Sequence, residues 1–247
     1  MRWFRFRLRT LLIAIAIVAI PLAWIANARR QSRYEQRAAE QLYPYAAHIV
    51  WGGPYDSWEP AEYAQPQGWQ RDLARRMMGK RVLKVMAHGP EVKDLTPFSA
   101  FKSVQYLWIA GARATDFTPL AGLTNLEKLN LRDTPISDLA PLAGLKNLKM
   151  LWLKDTQVTE IAPLAGLKNL AELSLDSTEI RDITPLAGLT NLQWLYLCDT
   201  QVSDLTPLIG LANLKRLKLK GTPVPREQVE ALQKALPNCK IEHDPFP

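Results

Sequence analysis

Residues 117–138 read FTPLAGLTNLEKLNLRDTPISD, and residues 139–160 repeat the pattern as LAPLAGLKNLKMLWLKDTQVTE. Four more units of 22 residues share this register, and a half-unit precedes them all. These units occupy residues 95–116, 161–182, 183–204 and 205–226, and the half-unit is Arg81–Asp94. Self-similarity at a fixed period of this length is the signature of a solenoid, in which each repeat is one structural unit.

The apolar positions of one unit explain why it must repeat. Leu126, Leu129 and Leu131 are expected to point inward from a short strand, while Leu120 and Ile136 close the core from the other side of the coil. A single unit cannot bury these side chains alone, so neighbouring coils must stack, with strands about 4.8 Å apart. The period predicts an α/β solenoid, with a parallel sheet on the concave side and short helical or 3-10 turns on the convex side.

Each unit also predicts how its convex turn is built. Pro119 and its equivalents stand where a short helical turn begins, and the preceding Thr118, Thr184 and Thr206 are expected to cap that turn. Gly122 and its equivalents are expected to end the turn in a left-handed conformation.

Three polar columns recur once per unit, and we interpret them as structural. An asparagine column and a threonine column are expected to form hydrogen-bonding ladders that satisfy buried backbone groups. A column of acids is expected to cap turns rather than to form a catalytic cluster. The columns are Asn125, Asn147, Asn169, Asn191 and Asn213; Thr134, Thr156, Thr178, Thr200 and Thr222; and Asp116, Asp138, Glu160, Asp182 and Asp204.

The pattern L-x-x-L-x-L-x-x-T-x-I-x-D-L-x-P-L, from Leu126 to Leu142, resembles the 22-residue leucine-rich repeats of bacterial internalin-like proteins. The resemblance covers residues 82–226, and it departs from the family at Thr134, where Asn is usual. It implies a leucine-rich repeat horseshoe whose concave sheet binds a partner, and the family motif contains no catalytic residues. Such repeats after an arginine-flanked apolar segment also resemble a group of bacterial single-pass repeat proteins.

Residues 1–30 predict one transmembrane helix that anchors the chain. Within them, Thr10–Ala28 is a run of nineteen residues without a charge, and as a helix it spans about 28 Å, close to the bilayer core. The net charge of +7 lies entirely within residues 1–37, whereas residues 95–247 have 16 basic and 16 acidic residues. Positive charge so placed suits anionic lipid head groups, and a neutral repeat domain lacks the basic stripe that nucleic-acid binding requires.

A cleaved signal peptide is the rival interpretation of this segment. The arginine-rich start, the apolar run and Ala26-Asn27-Ala28 resemble a secretory signal with its cleavage site. We favour an uncleaved anchor because the run is at the long limit for a signal, and because Arg29 and Arg30 follow the site directly. Four arginines on each side leave the positive-inside count balanced. A short charged N-terminus kept in the cytoplasm would place the repeats on the extracytoplasmic side of the cell membrane.

The segments on either side of the repeats, which occupy residues 81–226, are interpreted as caps. Residues 31–80 are expected to form a linker helix and an aromatic-rich cap over the first strand, since solenoid ends need covering. The linker helix, over residues 30–42, is interpreted as a stalk that leaves the membrane. Residues 227–247 are expected to form the C-terminal cap, with a helix over Arg226–Ala235 and then a last, degenerate strand.

No pattern in the sequence points to catalysis or to a metal. His48, His88 and His243 have no cysteine or carboxylate at metal-ligand spacing, and no phosphate loop or nucleophile motif occurs. Cys198 and Cys239 are expected about two coils apart, roughly 10 Å, which is too far for a disulfide. We therefore expect no cofactor, no metal and no enzyme activity.

The columns that point outward from the concave sheet are the candidate binding surface. Large apolar side chains occur there in pairs on alternate coils, with basic residues around them, and such groups usually mark an interface. The alternative is that exposed strands simply favour aromatic residues. The candidate residues are Tyr106, Trp108, Lys128, Asn130, Arg132, Met150, Trp152, Lys154, Trp194, Tyr196, Arg216 and Lys218.

These features predict a non-catalytic, membrane-anchored repeat protein that binds a protein or an extended peptide through its concave face. A glycan is the second candidate partner, because aromatic faces about 10 Å apart could stack on successive sugars. The protein would then be an exported glycan-binding or structural envelope protein. Nucleic acid is not an expected partner.

The intact mass of the protein purified from its native membrane tests the predicted anchor. We expect the mass of a chain that retains Thr10–Ala28, because an apolar run of this length stays in the bilayer. A mature chain that begins at Arg29 would contradict the anchor and make the protein an exported, soluble one.

Overall fold

A computed structural model describes residues 30–31, 33–42, 48–52 and 81–245. Within these residues nine strands form one sheet in chain order. The strands are β1 His48–Gly52, β2 Arg81–Met86, β3 Tyr106–Trp108, β4 Lys128–Asn130, β5 Met150–Trp152, β6 Glu172–Ser174, β7 Trp194–Tyr196, β8 Arg216–Lys218 and β9 Lys240–Glu242.

Eight of these strands, β2 to β9, are parallel, and the first seven of them follow the repeat. From β2 to β8 each strand residue pairs with the residue 22 positions later, as Leu107 does with Leu129 and Leu129 with Leu151. Only β1 is antiparallel, and it pairs with β2. The parallel sheet predicted from the period is confirmed.

The inward leucine columns form one core that runs through all the coils. Leu126, Leu129 and Leu131 are fully buried, and Leu120 and Ile136 meet them from the convex side. Burying a leucine-sized side chain stabilises the fold by about 1.5–3 kcal/mol. Because every coil contributes such side chains, stacking provides the main stabilisation.

The convex side is built from short 3-10 turns, as the sequence predicts. They are Thr96–Ala100, Thr118–Leu120, Ala140–Leu142, Ala162–Gly166, Thr184–Leu186 and Thr206–Leu208. The expectation that Thr118, Thr184 and Thr206 cap these turns is wrong, since no side-chain cap bond forms at their N-caps.

The acid column caps the turns instead. Asp116 Oδ1 accepts a hydrogen bond from the Thr118 backbone N–H at 2.9 Å, and Asp138 does the same for Ala140 at 2.8 Å. The carboxylate two residues upstream reaches the free N–H, whereas each threonine is already the first residue of its turn. Hydrogen bonds from Thr118 lower the pKa of Asp116. Turn-capping by these aspartates is thus confirmed.

The left-handed position of each coil is not where the sequence analysis placed it. Gly122, Gly144, Gly166, Gly188 and Gly210 do not have a positive φ. Among the described residues, those with a positive φ are Gly89, Gly111, Asp133, Asp155, Ser177, Asp199 and Gly221. These seven residues form one column, spaced by 22, just after each strand.

Three of the convex glycines instead leave room for a lysine. A Cβ on Gly122, Gly166 or Gly188 would lie 2.5–2.6 Å from the ammonium of a lysine in the preceding coil. The Nζ of Lys168 donates a hydrogen bond to the Gly188 carbonyl at 3.0 Å.

The asparagine column forms the predicted ladder, but the threonine column does not. Asn125 Nδ2 donates to the Lys102 carbonyl of the preceding coil at 2.7 Å, and Asn147, Asn169, Asn191 and Asn213 repeat this bond. Thr134 Oγ1 donates to Leu131 in its own coil at 2.6 Å. Each threonine therefore closes a turn within its coil rather than linking two coils.

Helix α1, over residues 33–42, packs against the start of the solenoid. Ala38, Ala39 and Leu42 are buried in the common core. Glu35 Oε2 accepts a hydrogen bond from the Val82 N–H at 3.2 Å on the first parallel strand. The stalk expected over residues 30–42 is therefore wrong, because the apolar face of α1 is part of the core.

Helix α2 spans Arg226–Ala235, the residues for which the sequence predicts a helix, and β9 follows it. No helix among the described residues is long and apolar enough to cross a membrane. The predicted anchor over residues 10–28 and most of the N-terminal cap lie outside the described residues.

Substitutions at Ser177 test the left-handed column. Because φ is +55° at Ser177, we expect Ser177→Gly to raise the free energy of unfolding by about 0.5–1 kcal/mol and Ser177→Val to lower it by about 1–2 kcal/mol. Denaturant unfolding measures both changes. Ser203, whose φ is not positive, is the control: Ser203→Gly should not stabilise the protein. Tolerance of valine at position 177 would contradict the assignment.

Candidate functional site

The predicted outward columns lie side by side on the concave face. The strand pairing aligns Tyr106, Lys128, Met150, Glu172, Trp194 and Arg216 in one column, and Trp108, Asn130, Trp152, Ser174, Tyr196 and Lys218 in the next. The leucines between them point into the core. Both columns extend to Lys84 and Met86 on β2 and to Lys240 and Glu242 on β9. This extension was not among the predicted residues, although Lys84 and Met86 lie 22 residues before Tyr106 and Trp108.

The aromatic residues of this face are half-buried and lie close to cations. The Tyr106 and Trp108 ring centroids are 6.4 Å apart, and Lys128 Nζ lies 5.9 Å from the Tyr106 ring centroid. Lys218 Nζ is 5.3 Å from the Tyr196 centroid. Such cation–π contacts contribute about 0.5–1 kcal/mol at exposed sites.

Two further contacts involve residues outside the predicted site. Lys215 Nζ lies 5.6 Å from the Trp194 ring centroid, although Lys215 precedes its strand. Trp152 Nε1 donates a hydrogen bond to Glu172 Oε1 at 2.8 Å on the next coil. Neither contact could be predicted from the repeat pattern, because each joins side chains that belong to different columns.

Asn130 is not a surface residue, contrary to the sequence analysis. Only 3% of it is exposed, and its Oδ1 accepts a hydrogen bond from the Arg132 backbone N–H at 3.0 Å. Ser174, at the equivalent position of β6, is 5% exposed. Small polar residues at these positions are shorter than the aromatic residues beside them, and their hydrogen bonds hold the end of the strand.

A third column follows the two strand columns and contains Arg132, Lys154, Asp176 and Cys198. Backbone hydrogen bonds hold its members on adjacent coils, such as the 3.0 Å bond from Asp133 N–H to the Lys154 carbonyl. Asp176 Oδ1 accepts a hydrogen bond from the Cys198 N–H at 2.8 Å. The predicted contacts Arg132 and Lys154 therefore border the aromatic columns at the strand ends.

The phenol and thiol groups near the site are held in their neutral forms. Burial raises the pKa of the Tyr106 phenol, and it does the same for Tyr196 and the Cys198 thiol. Burial raises the pKa of Cys239, which occupies a core position, to about 11. A thiol must ionise to act as a nucleophile, so these environments disfavour that chemistry. Both cysteines are free, and no cluster in the described chain has the side chains to hold a metal.

Comparison with known proteins agrees with this architecture. The family model of leucine-rich repeats in two copies matches residues 124–164 and 146–188. Internalin C2 of Listeria monocytogenes is 33% identical with a TM-score of 0.62, over 67% of this chain and 74% of that one. The chain belongs to the bacterial leucine-rich repeat family that includes the internalins.

Two further relatives show how far the likeness extends. A Listeria monocytogenes internalin F is 26% identical with a TM-score of 0.52, over 63% of this chain and 54% of that one. A Leptospira interrogans leucine-rich repeat protein shares the fold at 22% identity and a TM-score of 0.55, over 69% of this chain and 50% of that one. This leucine-rich repeat protein thus spans about half of each. No curated protein sequence matches the chain.

Family membership gives the coarse function of this leucine-rich repeat protein. Domains with internalin-like relatives are generally protein-binding scaffolds rather than enzymes. The repeats described here are accordingly an interaction domain.

Neighbouring residues on β5 test the assignment of the two faces. Leu151→Ala should lower the free energy of unfolding by about 2–5 kcal/mol, because it opens a cavity in the core. Trp152→Ala should cost about 1 kcal/mol or less, because the ring is half-exposed and loses one hydrogen bond to Glu172. Thermal or denaturant unfolding of both variants measures the difference. Equal losses would show that the tryptophan belongs to the core.

Proposed function

We propose that this protein binds an extended segment of another protein through its concave face, without catalysing a reaction. The observation that supports this best is the alignment of half-buried aromatic side chains in two columns of the parallel sheet. Trp108, Trp152 and Trp194 provide large, rigid contact area, and Trp and Tyr are the residue types most enriched among interface hot spots.

The dimensions of the face suit an extended partner. The columns from β3 to β8 cross five coil-to-coil steps, or about 24 Å, which matches roughly seven residues of an extended chain. A segment laid across the strands would meet aromatic pairs on β3 and β7 and the Met150–Trp152 pair on β5. Large and small side chains alternate along the columns, so such a partner would bind in a defined position rather than anywhere along the face.

A glycan is less favoured by the geometry. Sugars stack on open aromatic faces, but lysine ammonium groups lie over the rings of Tyr106, Trp194 and Tyr196. Those lysines would be displaced before a sugar could stack, whereas a protein segment can use the cations directly.

We further propose that residues 10–28 anchor this protein in the cell membrane, with the repeats on the extracytoplasmic side. The support is the uncharged run with arginines on both sides. Helix α1 continues that basic character, since Arg30, Arg33 and Arg37 are exposed while its other face is buried in the solenoid.

Alanine substitution at Trp152 and Trp194 tests the binding surface. We expect each change to weaken binding of the partner retained by the full chain by about 2 kcal/mol or more, as the central aromatic anchors of an interface do. The binding is measured by titration of the identified partner, with melting temperature followed in parallel. Ile209→Ala, on the exposed convex surface, is the matched control and should leave binding unchanged.

Two results would contradict the proposal. A large loss of stability in the tryptophan variants would show that these side chains are core residues. Unchanged binding and stability would place the partner elsewhere, with the aromatic segment between Tyr43 and Trp69 as the next candidate.

A further inference from the structure

Three cations of the concave face lie on two adjacent coils. Lys128 lies on β4, and Arg132 and Lys154 follow β4 and β5. Within the described chain, one of these three cations forms an ion pair. Lys154 Nζ lies 3.7 Å from Asp155 Oδ2, and the two side chains are 37% and 39% exposed. An ion pair so exposed contributes little, so all three cations remain available to a ligand.

Arg132 also has an unsatisfied hydrogen-bond donor. Its Nε is buried and has no hydrogen-bond partner among the described residues. Guanidinium groups bind carboxylates through two parallel N–H groups, a geometry that Nε and one terminal nitrogen provide. A ligand carboxylate would satisfy Nε if the guanidinium turns outward, because Nε itself is buried in this structure.

The later coils are different, because their acids already have partners. Glu172 accepts the Trp152 indole N–H, and Asp176 accepts the Cys198 N–H. At the end of the sheet, Glu242 pairs with Lys240 at 3.1 Å and with Arg216 at 3.8 Å. The unsatisfied Nε of Arg132 distinguishes β4 and β5 from β8, where Lys215 and Lys218 also form no ion pair among the described residues.

We propose that the partner of the concave face is an acidic extended protein segment, whose carboxylates bind Lys128, Arg132 and Lys154 while its apolar side chains pack on Trp108 and Trp152. This proposal rests on the proposed function of the concave face and adds the charge and the position of the ligand. Alternate residues of an extended segment are about 7 Å apart on one side. Carboxylates at that spacing can reach cations on adjacent coils, and apolar residues elsewhere in the segment can pack on the aromatic columns.

A nucleic acid would offer anionic groups too, but the charge distribution favours a protein. Nucleic-acid binders neutralise about 6–10 phosphates along a basic stripe. Here three cations are clustered, and residues 95–247 have equal numbers of basic and acidic residues.

Selection from a random twelve-residue peptide library displayed on phage, with the full chain in detergent micelles as bait, tests the proposal. The enriched peptides should be acidic and should contain apolar or aromatic residues. The triple variant Lys128→Gln, Arg132→Gln and Lys154→Gln should bind the best peptide about tenfold more weakly, since three modest ion pairs are lost. The control is Lys102→Gln, Lys146→Gln and Lys168→Gln, which removes the same charge from exposed residues beside the convex turns and should reduce affinity less than threefold.

The outcomes separate this proposal from the proposed function. Enriched peptides that are neutral or basic, or equal effects of the two triple variants, would overturn the acidic ligand but leave concave-face binding intact, provided that Trp152→Ala still abolishes binding. If no selected peptide depends on Trp152 or Trp194, the concave-face function itself fails. Tighter binding of a twenty-nucleotide RNA or DNA than of the best acidic peptide, lost in the first triple variant, would assign the cluster to nucleic acid and overturn the proposal.

Discussion

Each coil buries its leucines against the leucines of the next coil, and no coil can bury them alone. This constraint fixes the spacing of 22 residues, because an inserted or deleted residue would turn a leucine such as Leu129 away from the stack. It also explains the ends of the described fold. Helix α1 and β1 lie against the first parallel strand, and helix α2 and β9 close the last coil, so that neither terminal layer of leucines is left open to water.

The same constraint positions the residues of the candidate site, whatever their chemical type. Once Leu129 and its equivalents point inward, their neighbours on either side must point outward and align across the sheet. Stability depends on the inward column, so the outward columns are free to hold Trp, Lys, Met or Glu. The concave face is therefore a surface on which binding specificity can vary while the fold stays the same.

The apolar architecture could be predicted from the sequence, whereas the polar details could not. Leucine columns have one favourable arrangement, and the parallel register and convex turns followed from it. A polar side chain at a turn has several backbone groups within reach, so Asp116 rather than Thr118 caps the turn, and Thr134 bonds within its own coil. The left-handed column did leave a signal, since Gly89, Gly111 and Gly221 share a register with Asp133 and its equivalents. The burial of Asn130 depends on its larger neighbours, which the register alone does not reveal.

The central claim is that the partner contacts the outward columns of the sheet and leaves the convex turns free. Hydroxyl-radical footprinting of the full chain, with and without its bound partner, tests this most directly because it reports on individual side chains. We expect oxidation of Trp108 and Trp152 to fall on binding, while that of the exposed Ile209 on the convex side is unchanged. Protection of Ile209 and the convex turns, with both tryptophans oxidised as before, would contradict it.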